Sequence, residues 1–189
     1  MTKCQNYFSL FPLGRLISGG QTGVDQTALE FAMASGIPCG GWCPAGRRSE
    51  VGAIPPRFPM TEASSPSYPQ RTRLNIRDSD ATLILSAGLP VGGSALTVRI
   101  AARLKRRFLS IDLDEMSVGD ASDRIRIWLW TKARPKVLNV AGPRETEFPD
   151  LSEKILAVLA HAICPEPTGS EMVPWPPAKP KRPVQLILP

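Results

Sequence analysis

"LISGGQTGVDQTALEFAMAS", Leu16 to Ser35, is the stretch that decides the fold. A short apolar run, Leu16-Ile17, ends in two glycines, and helical periodicity begins after Gly23, with Val24, Ala28, Phe31 and Ala32 on one side. This is the start of a strand–turn–helix unit. The first-turn amides of such a helix have no partner within the helix, and glycines let a ligand approach the backbone closely. The question it raises is what occupies the space after Gly20.

The same alternation continues outward. "IPCGGWC" reads as a second strand, "ATLILSAG" (81–88) as a fully buried one, and "FLSIDL" and "KVLNVAGPRE" as two more. Between them, "GGSALTVRIAARLKRRF" reads as a glycine loop and a helix with Leu96, Ile100 and Leu104 at helical spacing. "DASDRIRIWLWTK" and "DLSEKILAVLAHAI" read as further helices. Residues 44–70 are rich in Pro, Gly and Ser and read as mostly loop, followed by one or two helical turns from Arg71 to Asp78. Repeated β–loop–α units call for a mostly parallel sheet with helices on both faces, an α/β, Rossmann-like fold, because parallel strands need crossover helices. The expected ligand-binding domain covers residues 1–164. Residues 165–189 hold eight of the twenty prolines and read as a flexible Pro-rich tail.

Composition excludes little else. No run reaches the roughly 18 apolar residues of a membrane span, and the start lacks a secretory pattern, so a cytoplasmic location is expected. The formal charge of +6 suits solubility or an acidic partner. The tail sets Lys179, Lys181 and Arg182 against Glu166 and Glu171, too small a surplus to drive nucleic-acid binding. With one histidine, His161, and no second cysteine pair at zinc spacing to follow Cys39 and Cys43, no protein-ligated metal is expected. Cys39 and Cys43 read as small buried thiols beside a strand.

Ligands of open parallel sheets bind beyond the carboxyl ends of the strands. Those ends carry "SGGQTG" (18–23), "GWCPAGRR" (41–48), "AGLPVGGSALT" (87–97) and "AGPRE" (141–145), four small-residue loops expected to converge on one edge as an anion site. Gly19, Gly20, Gln21, Thr22 and Gly23 would line it together with Gly92, Gly93, Ser94 and Thr97. Arg47, Arg71 and Arg144 would offer planar forks to a phosphate. "RTRLNIRDSD" places Arg71, Asn75 and Asp78 on one helical face. Asp78 and Asp80 could hold a ring nitrogen or cap a turn.

Two familiar nucleotide motifs fail. Ser18 to Gly23 misses the first glycine of G-x-G-x-x-G, and no carboxylate follows the second strand until Glu50, which argues against NAD. "GWCPAGRR" has P-loop spacing, but Arg47 and Arg48 replace the Lys and Ser/Thr. Asp25 admits two readings: Thr22 to Asp25 as a capping box at the helix start, or an acceptor for a ligand beside the phosphate.

The blocks "ISGGQTGVDQTALEFA", "GGWCPAGRRSEVGAIP", "RTRLNIRDSDATLIL", "GGSALT" and "LNVAGPRE", in order across about residues 14–163, together resemble the putative molybdenum carrier proteins. These are relatives of the lysine-decarboxylase-like nucleotide-binding superfamily. The resemblance implies a Rossmann-like homo-oligomer, dimer or tetramer, that binds molybdenum cofactor (a pterin with a terminal phosphate) as cargo. The related phosphoribohydrolases carry P-G-G-x-G-T-x-x-E, and in that register the glutamate is Arg99 here. N-glycosidic cleavage needs a carboxylate, so the departure favours a carrier. A nucleotide-like hydrolase using Asp25 or Glu145 is the alternative.

Overall fold

The computed structural model describes residues 13–164; the expected Pro-rich tail lies outside them. The chain opens with β1 (Arg15–Ile17), α1 (Val24–Ala34) and β2 (Cys39–Cys43). A 3-10 turn (Ala45–Arg47) leads into a small hairpin, β3 (Arg48–Ser49) and β4 (Gly52–Ala53), then β5 (Met60–Glu62) and α2 (Tyr68–Arg77). There follow β6 (Ala81–Ser86), α3 (Gly92–Arg103), β7 (Arg107–Asp112), α4 (Val118–Trp128), β8 (Val137–Ala141) and α5 (Ser152–Ile163).

Six strands form one sheet in the order β5-β2-β1-β8-β6-β7, every neighbouring pair parallel. Right-handed crossovers fix which face each helix covers. The steps β1 to β2 and β7 to β8 run one way along the sheet, so α1 and α4 share a face. The steps β5 to β6 and β6 to β7 run the other way, so α2 and α3 share the opposite face. Packing agrees: α5 lies against both α1 and α4, and α2 lies against α3. The fold is the expected Rossmann-like α/β arrangement.

The main core fills the α1/α4/α5 side, with Leu16, Leu83, Leu85, Leu138 and Val140 from the sheet meeting Phe31, Ile125, Ile155 and Leu159 from the helices. Every residue of β6 is buried, which is why its sequence shows no alternation. Gly41 is held by contact: at φ 129°, a Cβ there would lie 2.1 Å from the Ser18 carbonyl oxygen of the neighbouring strand. A smaller cluster, Leu29, Cys43, Ile54 and Phe58, pins the 54–58 segment to the sheet edge.

Three stretches go beyond the sequence reading. Helix α2 begins at Tyr68, three residues before Arg71, with a proline in its first turn, where the missing N–H has no helical partner to lose. The stretch read as loop contains the β3–β4 hairpin and the edge strand β5. On α3 the buried residues are Ser94, Thr97 and Ala101, while Leu96, Ile100 and Leu104 do not face the core.

Candidate functional site

The strand-end loops do converge, and the last of the four, residues 142–147 after β8, is where they meet. Gly23, at φ 73°, begins α1 against this loop: a Cβ there would stand 2.7 Å from both the Pro143 carbonyl oxygen and the Glu145 nitrogen. Glu147 reaches the start of α3, with Oε1 3.5 Å from where a Gly92 Cβ would be, and its other oxygen accepts from the Arg144 N–H at 3.2 Å. Arg144 lies over the Tyr68 ring at the start of α2, 5.0 Å from its centroid. Three helix N-termini, those of α1, α2 and α3, therefore meet one loop at the carboxyl edge of the sheet.

The space after Gly20 is filled by the protein itself. Asp25 Oδ2 accepts from the Gln21 N–H at 3.2 Å and from Arg71 Nη1 at 3.1 Å. The Arg71 guanidinium occupies the position a Gly19 side chain would take, and Ile54 covers Gly20. The Gln21 side chain is bound on both sides, donating to the Arg48 carbonyl and accepting from the Glu50 N–H, each at 3.2 Å. Thr22 donates its hydroxyl to Glu50 Oε1, and Thr146 donates to Glu50 Oε2 at 2.5 Å. The capping box is thus not formed: the N-cap is Gly23, without a side-chain cap bond. Two internal carboxylates sit where an external anion was expected.

Electrostatics follow from that placement. Desolvation pushes the Asp25 carboxyl up, against the opposing pull of the Arg71 charge and the Gln21 amide. Desolvation also pushes Glu50 upward, but hydrogen bonds from Thr146 and Thr22 and the nearby Arg144 charge outweigh it, leaving Glu50 below the usual carboxylate range. Burial raises the thiols of Cys39 and Cys43, which keeps them protonated and poor as metal ligands. Among the described residues no group of three or more His, Cys, Asp or Glu could hold a metal ion.

Several residues expected at the site have other tasks. Arg47 donates to three carbonyls, those of Ile54, Pro55 and Phe58, at 3.0–3.1 Å, and so braces its own loop. Asn75 exchanges two hydrogen bonds with the backbone of Trp42, replacing a missing strand partner. Asp78 accepts from the Trp42 indole at 2.7 Å and from Arg77; the Arg77 bonds lead in holding its carboxyl low. Asp80 precedes its strand and accepts from the Lys136 and Val137 amides at the opposite edge of the sheet. Glu145 accepts from the Asp150 N–H of its own loop and from the hydroxyl of Ser152 at the start of α5. The Thr97 hydroxyl donates to the Gly93 carbonyl, one helical turn back.

The two helix starts on the other face hold buried polar atoms without partners. Ser94, 3% exposed, sits in the first turn of α3 and its Oγ has no hydrogen-bond partner. In the first turn of α2, Gln70 Oε1 and Arg71 Nε are likewise buried and unpartnered. A Cβ on Gly93 would meet nothing within 4 Å. A buried polar atom without a partner costs about 1–3 kcal/mol, so the placement of three at one edge calls for an explanation. Glu50, Tyr68, Thr146 and Glu147 were missed by sequence reasoning; the last two lie in the same "AGPRETE" loop as Arg144, the one signal that could have drawn them in.

Comparison with known proteins gives this edge a lineage. No curated protein matches the chain. The crystal structure of a putative molybdenum carrier protein from Syntrophus aciditrophicus SB is similar: the two chains are 41% identical, with a TM-score of 0.78, and the match covers 81% of this chain and 96% of that one. The family model described as the circularly permutated YpsA SLOG family matches residues 16–163, from the first buried residue of β1 to the last residue of α5. With that match spanning every converging loop, the chain belongs to the circularly permutated YpsA SLOG family.

Proposed function

We propose that this protein binds and carries a phosphorylated heterocycle, molybdenum cofactor or a similar pterin or nucleotide-like molecule, with its phosphate on the first turn of α3. The observation that carries the reading is the buried, unpartnered Ser94 hydroxyl behind two glycines. Helix N-termini attract phosphate through their amides and dipole, and a hydroxyl there adds a donor. Arg144, Arg71 and the Tyr68 ring stand at the adjoining helix start, where a guanidinium and an aromatic face suit the charged and planar parts of such a cargo. The Glu147 carboxylate stands at that mouth beside Gly92, and a bound phosphate would shift it aside.

The name of the 41%-identical structure supports a molybdenum-bearing cargo, and a metal held by the pterin needs no protein ligand. A homo-oligomer is proposed on the resemblance, and a cytoplasmic location on the sequence pattern. The hydrolase alternative would need Asp25 or Glu145 to leave the hydrogen bonds that engage them. The test is mass spectrometry of small molecules that co-purify with the full chain from a host that makes the cofactor. A phosphorylated pterin near one per chain is expected. Recovery of none, or release of free base from nucleotides that is lost in Asp25→Asn, would overturn the carrier reading.

A further inference from the structure

We infer that the groove between α2 and α3 is a second binding site, for a small amphipathic organic anion. The groove encloses about 310 Å³ and is lined by Arg73 of α2 and by Leu96, Arg99, Ile100, Arg103 and Leu104 of α3 and its C-cap. That volume lies at the lower end of small-ligand pockets.

The outward amphipathicity of α3 carries the argument. Leu96, Ile100 and Leu104 are spaced four apart and form a stripe, yet the residues α3 buries are the small Ser94, Thr97 and Ala101. The aliphatic stripe is therefore the floor of a surface groove rather than part of the core. Guanidinium groups flank it, Arg73 across from Arg99 and Arg103, and among the described residues none of the three side chains has a hydrogen bond or an ion pair. An apolar floor between uncompensated cations is complementary to a molecule with an apolar body and acidic groups, because guanidinium pairs carboxylate, sulfonate or phosphate oxygens while the floor excludes water from the body. Pairing this face with a second copy of itself would bring like charges together, which disfavours that occupant. The groove runs away from the phosphate site along α3: it begins at Leu96, two residues past Ser94, and ends at Leu104, ten residues past it and about 15 Å along the helix at 1.5 Å per residue.

The test titrates the full chain with anilinonaphthalene sulfonate, an apolar dye carrying one sulfonate that fluoresces when sheltered from water. Saturable one-to-one binding is expected, with shifts of the Leu96, Ile100 and Leu104 methyl signals in NMR spectra. The double variant Arg99→Ala/Arg103→Ala should bind about tenfold more weakly, and Arg99→Lys/Arg103→Lys should fall in between. Both arginines are exposed, so folding of each variant is confirmed by an unchanged melting profile. Undiminished binding by the alanine variant, methyl shifts confined to the 87–91 and 142–147 loops, or dye binding that fades as the chain self-associates would each overturn the assignment.

Discussion

Asp25 and Arg71 form the most buried ion pair of the carboxyl edge, their side chains 3% and 13% exposed. Removing one member of such a pair leaves a charge without compensation, which typically costs about 3–5 kcal/mol. Asp25→Asn keeps the shape and an acceptor for the Gln21 amide, and Arg71 retains a route to water, so the lower end, about 3 kcal/mol, is expected. Arg71→Met acts through the proton. Burial already raises the Asp25 carboxyl despite Arg71, and without that charge the carboxyl rises further. A carboxyl raised in the folded state holds its proton more tightly there than in the unfolded chain. Its contribution is fully present below the unfolded value and is lost as pH rises through the folded one. The deficit of Arg71→Met relative to wild type should therefore grow with pH through that window. Urea unfolding of wild type, both single variants and the double variant at several pH values measures this. The double variant should be more stable than the sum of the two losses predicts, by about 1–3 kcal/mol. Additive losses, or a deficit for Arg71→Met that is flat with pH, would refute the buried-pair reasoning.

Other consequences follow from single contacts. Ser94→Ala should leave urea stability unchanged or slightly raised, because it removes an unpartnered buried hydroxyl, while weakening binding of a phosphorylated pterin about tenfold; a loss of stability without a loss of affinity would mark Ser94 as structural. The Glu50 clamp on Thr22 and Thr146 is intact above the ordinary glutamate value, and its stabilisation is lost as pH falls through the lowered folded value. Hydrogen exchange in the β3–β4 hairpin should then rise in acid, and a Glu50→Gln variant should lack that step. Gly41→Ala should unfold the chain at markedly lower urea, since its methyl group would collide with the Ser18 carbonyl at 2.1 Å; an unchanged midpoint would contradict the packing of β1 on β2.

Much of this architecture was legible in the chain because backbone chemistry set it. The run from Leu16 through Gly23 into a periodic helix gave the first βα unit, and the unalternated 81–86 run gave a strand buried on both faces. The convergence of glycine loops on one edge followed from parallel strands alone. Asp80 stands before its strand, so its place at the far edge was also readable from order. Hydrogen bonds between segments distant in sequence were not readable. Glu50 reaches Thr22 across 28 residues and Thr146 across 96, and these contacts, with the Asp25–Arg71 pair, close the space where a ligand was expected after the glycine loop. Arg47 looked like a phosphate fork because nothing local shows that three carbonyls of the following segment would claim it. Nor does helical spacing say which face of α3 meets the sheet: small residues pack there and the aliphatic stripe turns outward.

The central claim is that an organic phosphate is gripped at the start of α3. Isothermal titration of the full chain with a pterin phosphate and with the same pterin lacking its phosphate tests it most directly. The account predicts saturable binding that weakens at least about tenfold when the phosphate is absent. Equal affinity for both compounds would contradict it.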